Sequence, residues 1–227
     1  MALQLNIQDI SSEVATVKDA TISDAGSYAA RGDATLSFVG TASGKTTTIY
    51  RSLLYMTVGD RLPKGAVVNK ATLRLNLTVA GGSSLTLQHK FLAVDWTEDS
   101  SFPTWANRAS GTAWGSSGAS GSADTSASFG TQSLGTLPSS TGDNDFDVTS
   151  SVRYAVEKNS GVWNILLLVD DEDGSPAELI KYKTGDNSTE ADRPELIVQY
   201  VQGGGSAGKI RTAAMRAGVR RGRSKRE

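Results

Sequence analysis

An all-β fold is what this sequence predicts: an antiparallel two-sheet β-sandwich with one short helix and a basic C-terminal tail. Three observations lead there. Residues 71–79, ATLRLNLTV, place Leu73, Leu75, Leu77 and Val79 in strict alternation with Thr72, Arg74, Asn76 and Thr78, the period of a strand with one buried and one wet face. At least seven further segments read as short strands separated by turn signals. The 227 residues include 24 glycines amid abundant Ser, Thr and Ala, a mixture suited to turns and pleated surfaces more than to long helices.

In chain order, residues 1–13 read as an N-terminal arm, 14–202 as the sandwich domain, and 203–227 as a glycine linker and basic tail. Strands are expected over 14–23, 35–39, 47–58, 71–79, 85–94, 163–170, 178–183 and 195–201; Ala80-Gly81-Gly82-Ser83-Ser84 makes a hairpin-like break. One helix follows Thr149, which is placed to cap it. Val152, Ala155 and Val156 form its apolar stripe, and Asn159-Ser160-Gly161 ends it. From 109 to 142 the chain is dominated by Gly, Ser, Ala and Thr. The expectation is a surface loop holding one or two weak strands, near Ser126–Phe129, with Trp114 as a candidate anchor for a partner.

Composition excludes several chemistries. With no cysteine there are no disulfides, thiolate metal sites or thiol nucleophiles. His89 is the single histidine, which rules out multi-histidine metal clusters within one chain. It shares an alternating face with Leu85, Leu87 and Phe91, which predicts a buried, hydrogen-bonded side chain. No stretch approaches the roughly 18 to 20 apolar residues of a membrane span. The first residues, MALQLNIQDI, lack the basic and apolar regions of a secretory signal. Taken as a natural start, they predict synthesis and folding in the cytosol.

The formal net charge of −1 hides a strong asymmetry. Eight of the 23 Lys and Arg residues, but one of the 24 acidic residues, lie from Gly203 onward, leaving the body at −8 and the tail at +7. Arg211, Arg216, Arg220, Arg221, Arg223, Lys225 and Arg226 are too concentrated for the solvated face of a folded domain. Guanidinium forks suit phosphate and carboxylate. Nucleic acid, an acidic protein groove and the acidic body of a neighbouring copy all fit as partners.

Other local patterns carry less. Gly40-Thr41-Ala42-Ser43-Gly44-Lys45-Thr46 has three residues between its glycines, not the four of a phosphate-binding loop, and lies between two strands. Arg31-Gly32-Asp33 is a coincidence in a glycine-rich turn. Asp143, Asp145 and Asp147 alternate along a strand edge and Asp170-Asp171-Glu172-Asp173-Gly174 is an acidic turn. Both read first as solvated carboxylates, with oxygen coordination of calcium as the alternative. No metal, cofactor or catalytic residue is expected.

An ordered set of motifs resembles a known family. Tyr50-Arg51-Ser52-Leu53-Leu54-Tyr55 is followed by Leu62-Pro63-Lys64-Gly65, Ala71-Thr72-Leu73-Arg74-Leu75, Trp96-Thr97-Glu98 and Pro103-Thr104-Trp105-Ala106-Asn107. Phe146-Asp147-Val148-Thr149 and Arg193-Pro194-Glu195-Leu196-Ile197-Val198-Gln199-Tyr200 complete it. Over about residues 14–201 this set resembles the disaggregatase-related, or DNRLRE, domain. The resemblance implies a non-catalytic jelly-roll β-sandwich similar to carbohydrate-binding modules, usually in secreted or cell-surface proteins and in some cases binding polysaccharide. Trp96, Trp105 and Trp114 are candidates for an aromatic platform for sugar rings, but Trp96 and Trp105 fall within these motifs, where an aromatic plugging the core is the first reading. Trp114 lies outside them and is the candidate glycan or partner contact.

A module of extracellular type without a secretion signal fits a bacteriophage virion component, assembled in the host cytoplasm and exposed by lysis. The expected role is a capsid decoration, cement or fibre protein anchored by its tail to a capsid or other virion protein, with a symmetric homo-oligomer as one arrangement. A polysaccharide-binding module of a secreted protein is the alternative, and tail-driven, non-specific nucleic-acid binding is the third reading.

Overall fold

The computed structural model describes residues 2–8, 17–25, 34–44 and 46–202. The tail arginines and lysines, the Arg31-Gly32-Asp33 triplet and Lys45 lie outside the described residues. Thirteen strands and one helix occur among them: β1 (Leu3–Gln8), β2 (Val17–Ser23), β3 (Leu36–Ala42), β4 (Thr48–Thr57), β5 (Val67–Val79), β6 (Thr86–Phe91), β7 (Asn107–Ala109), β8 (Thr112–Ala113), β9 (Thr131–Thr136), β10 (Gly142–Asp147), α1 (Thr149–Lys158), β11 (Val162–Val169), β12 (Leu179–Lys183) and β13 (Glu195–Val201).

Eleven of these strands form one antiparallel sheet that wraps a core, an all-β sandwich-like fold; β7 and β8 make a separate small hairpin. The hydrogen-bonded order is β1-β13-β5-β12-β3-β4-β11-β6-β9, with β10 added to β5 and β2 to β4. Two long strands organise it. Leu77 of β5 pairs with both Gly142 and Tyr182, and Thr72 with both Asp147 and Ile197, so β10 takes one edge while β13 and β12 follow each other along the other. In β4, Tyr50 pairs with Ser23 and Gly40, and Leu53 with Ala20 and Leu166. There β2 holds one edge while β3 and β11 share the second. The β12–β3 ladder joins the two halves.

The core between the halves contains Leu54 and Met56 of β4, Leu73 and Leu75 of β5, Trp163 and Ile165 of β11, and Leu196 and Val198 of β13, all fully buried. Burying each such side chain contributes roughly 1.5–3 kcal/mol. In β5 the predicted alternation holds from Ala71 to Leu77, whereas Val79, expected on the buried face, is 38 % exposed; Val68 also faces inward. A shift of register, from Gln199↔Lys70 to Tyr200↔Val68, leaves Asn69 out of the ladder and restores the phase. Arg153 of α1 donates to the carbonyls of Val68 (2.8 Å) and Asn69 (3.0 Å), satisfying the irregular backbone.

Strand β11 is buried on both faces. Trp163, Ile165, Leu167 and Val169 enter the central core, whereas Leu166 and Leu168 join a second cluster with Ala20, Ile22, Leu53, Leu92, Trp96, Trp114 and Ala119. Residues 92–126 therefore form an apolar lid over the outer face of β4 and β11. Asp124, 2 % exposed, organises that lid: its carboxylate accepts from the amides of Gly115 (2.6 Å), Ser116 (2.9 Å) and Gly121 (3.2 Å). Arg51 clamps it. Its guanidinium donates to both oxygens of Glu172 (2.8 and 2.5 Å) and to the carbonyl of Gly118 (2.6 Å), with the Trp105 ring 4.8 Å away. Gly118 has φ of +81°, and a Cβ there would lie 2.5 Å from the Arg51 nitrogen and 2.8 Å from the Trp105 ring.

Several expectations need correction. Residues 3–8 are not a free arm. Ile7 is buried in the core and Leu5 packs against it, while Leu3 is exposed, and β1 closes an edge of the sheet against β13. The weak strand expected at 126–129 is a turn, with the amides of Phe129 and Gly130 bonded to the Ser126 carbonyl, and the strand begins at Thr131. Thr149 is the first helical residue and not the cap. The Asp147 carboxylate accepts from its amide (2.9 Å), while the Thr149 hydroxyl accepts from the amide of Ala71 on β5 (2.9 Å). The helix does end at Asn159-Ser160-Gly161, with positive φ at Ser160 and Gly161.

Arg51→Met removes one partner of a nearly buried ion pair and frees the Gly118 carbonyl. The expected cost is about 3 kcal/mol, read as a lower urea midpoint with an unchanged m-value.

Candidate functional site

Where α1 ends beside the lid, an open cleft of about 320 Å³ lies between residues 92–95 and 159–162. Its lining includes Tyr55 of β4, Asn164 of β11, Asp95 of the lid, and Asn159 and Ser160 after the helix. The alternation of β4 and β11 explains two of these: Tyr55 and Asn164 are register partners that point away from the central core. Asn164, 3 % exposed, accepts from the Trp96 indole N–H (3.0 Å) and donates to the Val94 carbonyl (2.9 Å), fixing one wall. The Asn159 amide donates to the Val162 carbonyl (2.8 Å), and Ser160 holds φ of +51°, which turns the chain around the opposite wall.

Lys18 of β2 borders the cleft. Its ammonium donates to Asp95 (2.8 Å) and the Trp96 carbonyl (2.7 Å), and lies 4.3 Å from the Tyr55 ring centroid and 4.8 Å from that of Trp96. This ammonium and the backbone amide of Trp96 hold the Asp95 carboxyl below its usual range against the opposing effect of burial. Burial, reinforced by Asp95, raises the Tyr55 phenol, so Tyr55 keeps its proton and faces the cleft as a donor. Hydroxyl, amide and carboxylate groups of both hydrogen-bonding senses thus line one opening, a chemistry suited to a hydroxyl-rich ligand.

Beside Lys18, three chain segments bring carboxyl groups together. Glu98 accepts from the Asp19 amide (2.7 Å), and the Asp19 carboxylate accepts from the Gly185 amide (2.6 Å). Burial, with repulsion from Asp19 and Asp186, pushes Glu98 up to about 8, although the Asp19 amide opposes the shift.

The tryptophans take different places. Trp96 is buried in the second cluster, and Trp105 packs against it half-buried beneath Arg51. Trp114, the candidate glycan or partner contact, is 5 % exposed, and its indole donates to the Thr104 carbonyl (2.9 Å). It anchors the lid from within, because the lid has few other large apolar groups to bury against β11; no open ring face remains for a ligand. His89 is buried as expected but lacks the expected hydrogen bonds: neither ring nitrogen makes a well-formed one. The acidic strand edge is committed to protein donors, Asp145 to Arg74 (2.8 and 3.0 Å), Asp143 to Asn76 (2.8 Å) and Asp147 to Thr149. In the acidic turn Glu172 holds Arg51, and Asp170 accepts from the Thr86 amide (2.7 Å). Among the described residues no group of three or more His, Asp or Glu is arranged to hold a metal ion.

The basic residues singled out in the tail lie outside the described residues, so the structure neither gathers nor separates them. The cleft residues Lys18, Tyr55, Asp95, Asn159 and Asn164 were not singled out by sequence. Tyr55 lies within one of the family-like motifs, but Lys18 carries no local signal, since only the fold brings β2 against the lid. No family model matches the chain, and no curated protein matches it in sequence.

The Glu98 carboxyl makes stability depend on pH with a definite sign. Its folded value of about 8 exceeds its ordinary 4.5, so the folded state holds the extra proton between these limits. Stability is expected to fall as pH rises from about 5 through 8. Glu98→Gln, which keeps an acceptor for the Asp19 amide, is expected to flatten that slope in melting temperatures recorded from pH 5 to 9.

Proposed function

We propose that this chain is a non-enzymatic structural and binding protein, most concretely a bacteriophage virion component: a capsid decoration, cement or fibre protein. Its basic tail anchors it to an acidic surface of a capsid or other virion protein. The observation that carries this reading is the charge split at Gly203, with −8 in the body and +7 in the 25 residues that follow. The last strand ends with Val201 paired to Val67, at the end of the sandwich where Val67 and Val156 of α1 line one groove. The chain thus leaves the folded body at this end before the glycine linker and basic segment, so an anchored tail would present the opposite end, with the 170–173 turn, outward. The motif resemblance to DNRLRE domains supports a non-catalytic module, and a sandwich-like body agrees with it.

A second reading, polysaccharide binding, is favoured by one observation, the polar cleft around Tyr55, Asp95 and Asn159. The cleft lies at the α1 end, from which the tail also leaves, so an anchored tail would turn it towards the anchoring surface and the two readings compete. Nucleic acid is a third partner for the tail, although the negative body repels it.

Full-length protein and a version ending at Gln202 are compared for capture of particle proteins from the source, across a salt series. The expected result is capture of a shell protein by the full-length chain alone, weakening steeply with salt. Binding of polysaccharide by both versions, with no capture of particles, would replace the anchor with the carbohydrate reading. Capture of duplex DNA in preference to particles would replace it with nucleic-acid binding.

A further inference from the structure

His89 has the position of a buried proton sensor. It lies on β6 between Leu167 of β11 and Gln132 of β9, and is 1 % exposed; neither ring nitrogen makes a well-formed hydrogen bond, and the Gln132 backbone interacts with it only weakly. On the core side its ring lies 5.4 Å from that of Phe129. Phe129 in turn stands 5.8 Å from Phe91 and 5.4 Å from Tyr154, whose hydroxyl bonds Ser126 (2.7 Å). No compensating charge surrounds the imidazole. The strand β9 carries no ionisable side chain; β11 presents Leu167 at the facing position and the 126–130 turn presents Phe129. The helix α1 contributes Tyr154 through the aromatic cluster, and Lys90, next on β6, points to the other face.

The element over His89 is also easily detached. β9 is the terminal strand in the sheet order, its ladder to β6 shifts register between Leu87 and Gln88, and its residues are exposed or half-buried throughout. Lifting it with Phe129 would expose the imidazole to water while leaving the central ladders of β4, β5 and β11 intact. We propose that residues 126–136 form an acid-opened flap, closed over neutral His89 and released as a unit when His89 takes up a proton, freeing the edge of β6.

Burial pushes the closed-state imidazole down to about 4, with the Gln132 backbone offsetting a smaller part, against an ordinary value of 6.5. The sign follows: the open state binds the proton more tightly, so opening is favoured as pH falls from 6.5 towards 4 and is constant below that. Linkage between those two values multiplies the opening equilibrium on the order of 50-fold from pH 7.5 to 4.5.

Hydrogen exchange on the full chain at both pH values, corrected for intrinsic rates, tests the flap. Protection of residues 131–136 is expected to drop on the order of 50-fold while β5 and β11 keep theirs, and His89→Leu is expected to hold the 131–136 protection steady. Should His89→Leu fail to fold, the resonance of the single histidine decides: titration near 4 in the wild type supports the flap when local exchange accompanies it. Equal loss of protection in all strands, an ordinary titration near 6.5, or an unchanged 131–136 segment at pH 4.5 would each overturn the proposal.

Discussion

The double-sided burial of β11 is the constraint from which the rest of this architecture follows. A strand reading VWNILLLV cannot leave either face in water. One face meets the opposite half of the sheet, and the other needs a cover that no regular layer supplies. The chain provides it with residues 92–126, a segment poor in large apolar side chains. Trp96 and Trp114 supply most of the apolar area there, and Asp124 and Arg51 supply the order. Removing water from those two charges is costly, and it is offset by the three amides that donate to Asp124 and by the bonds of Arg51 to Glu172 and the Gly118 carbonyl. The lid therefore behaves as a packed layer built from loop.

A second polar device sits where the sheet turns from one half to the other. The hydroxyls of Thr21, Ser37, Ser52 and Tyr182 form a buried chain across β2, β3, β4 and β12, at 2.8 Å between Thr21 and Ser37 and 2.9 Å between Ser37 and Ser52. The Phe38 amide also donates to Thr21 (3.0 Å). Burial holds the Tyr182 phenol above its ordinary value, so it remains a neutral donor. Such a network specifies register at the corner, because a one-residue slip in any of the four strands would leave hydroxyls unpartnered in the core.

These constraints distribute the molecule's surface unequally. The α1 end collects the polar cleft, the apolar groove near Val67 and the last described residues of the chain, whereas the acidic turn at 170–173 follows the other end of β11. β4, β5 and β11 each carry at least three fully buried side chains, whereas the terminal strand β9 carries none.

Much of the scaffold was legible because strand patterning is local. The alternation of 71–79 and the apolar runs at 47–58, 163–170 and 195–201 each report burial within a few residues, and all four segments fall on strands. β1 and β9 were less legible: they are short edge strands, and β9 is made of small polar residues with almost no apolar pattern. Trp114 illustrates the limit for the site. Its place in a Gly/Ser-rich stretch resembles that of an exposed anchor, but the apolar outer face of β11, about fifty residues later, draws it inward. The sequence by itself determined the all-β class, the absence of thiol chemistry and the charge split between body and tail. Only the tertiary structure decided which faces are covered, that Lys18 meets Asp95 and Tyr55, and that His89 is buried without a well-formed hydrogen bond. Those outcomes depend on contacts between residues distant in sequence, and no local pattern of side chains encodes which distant surface will arrive.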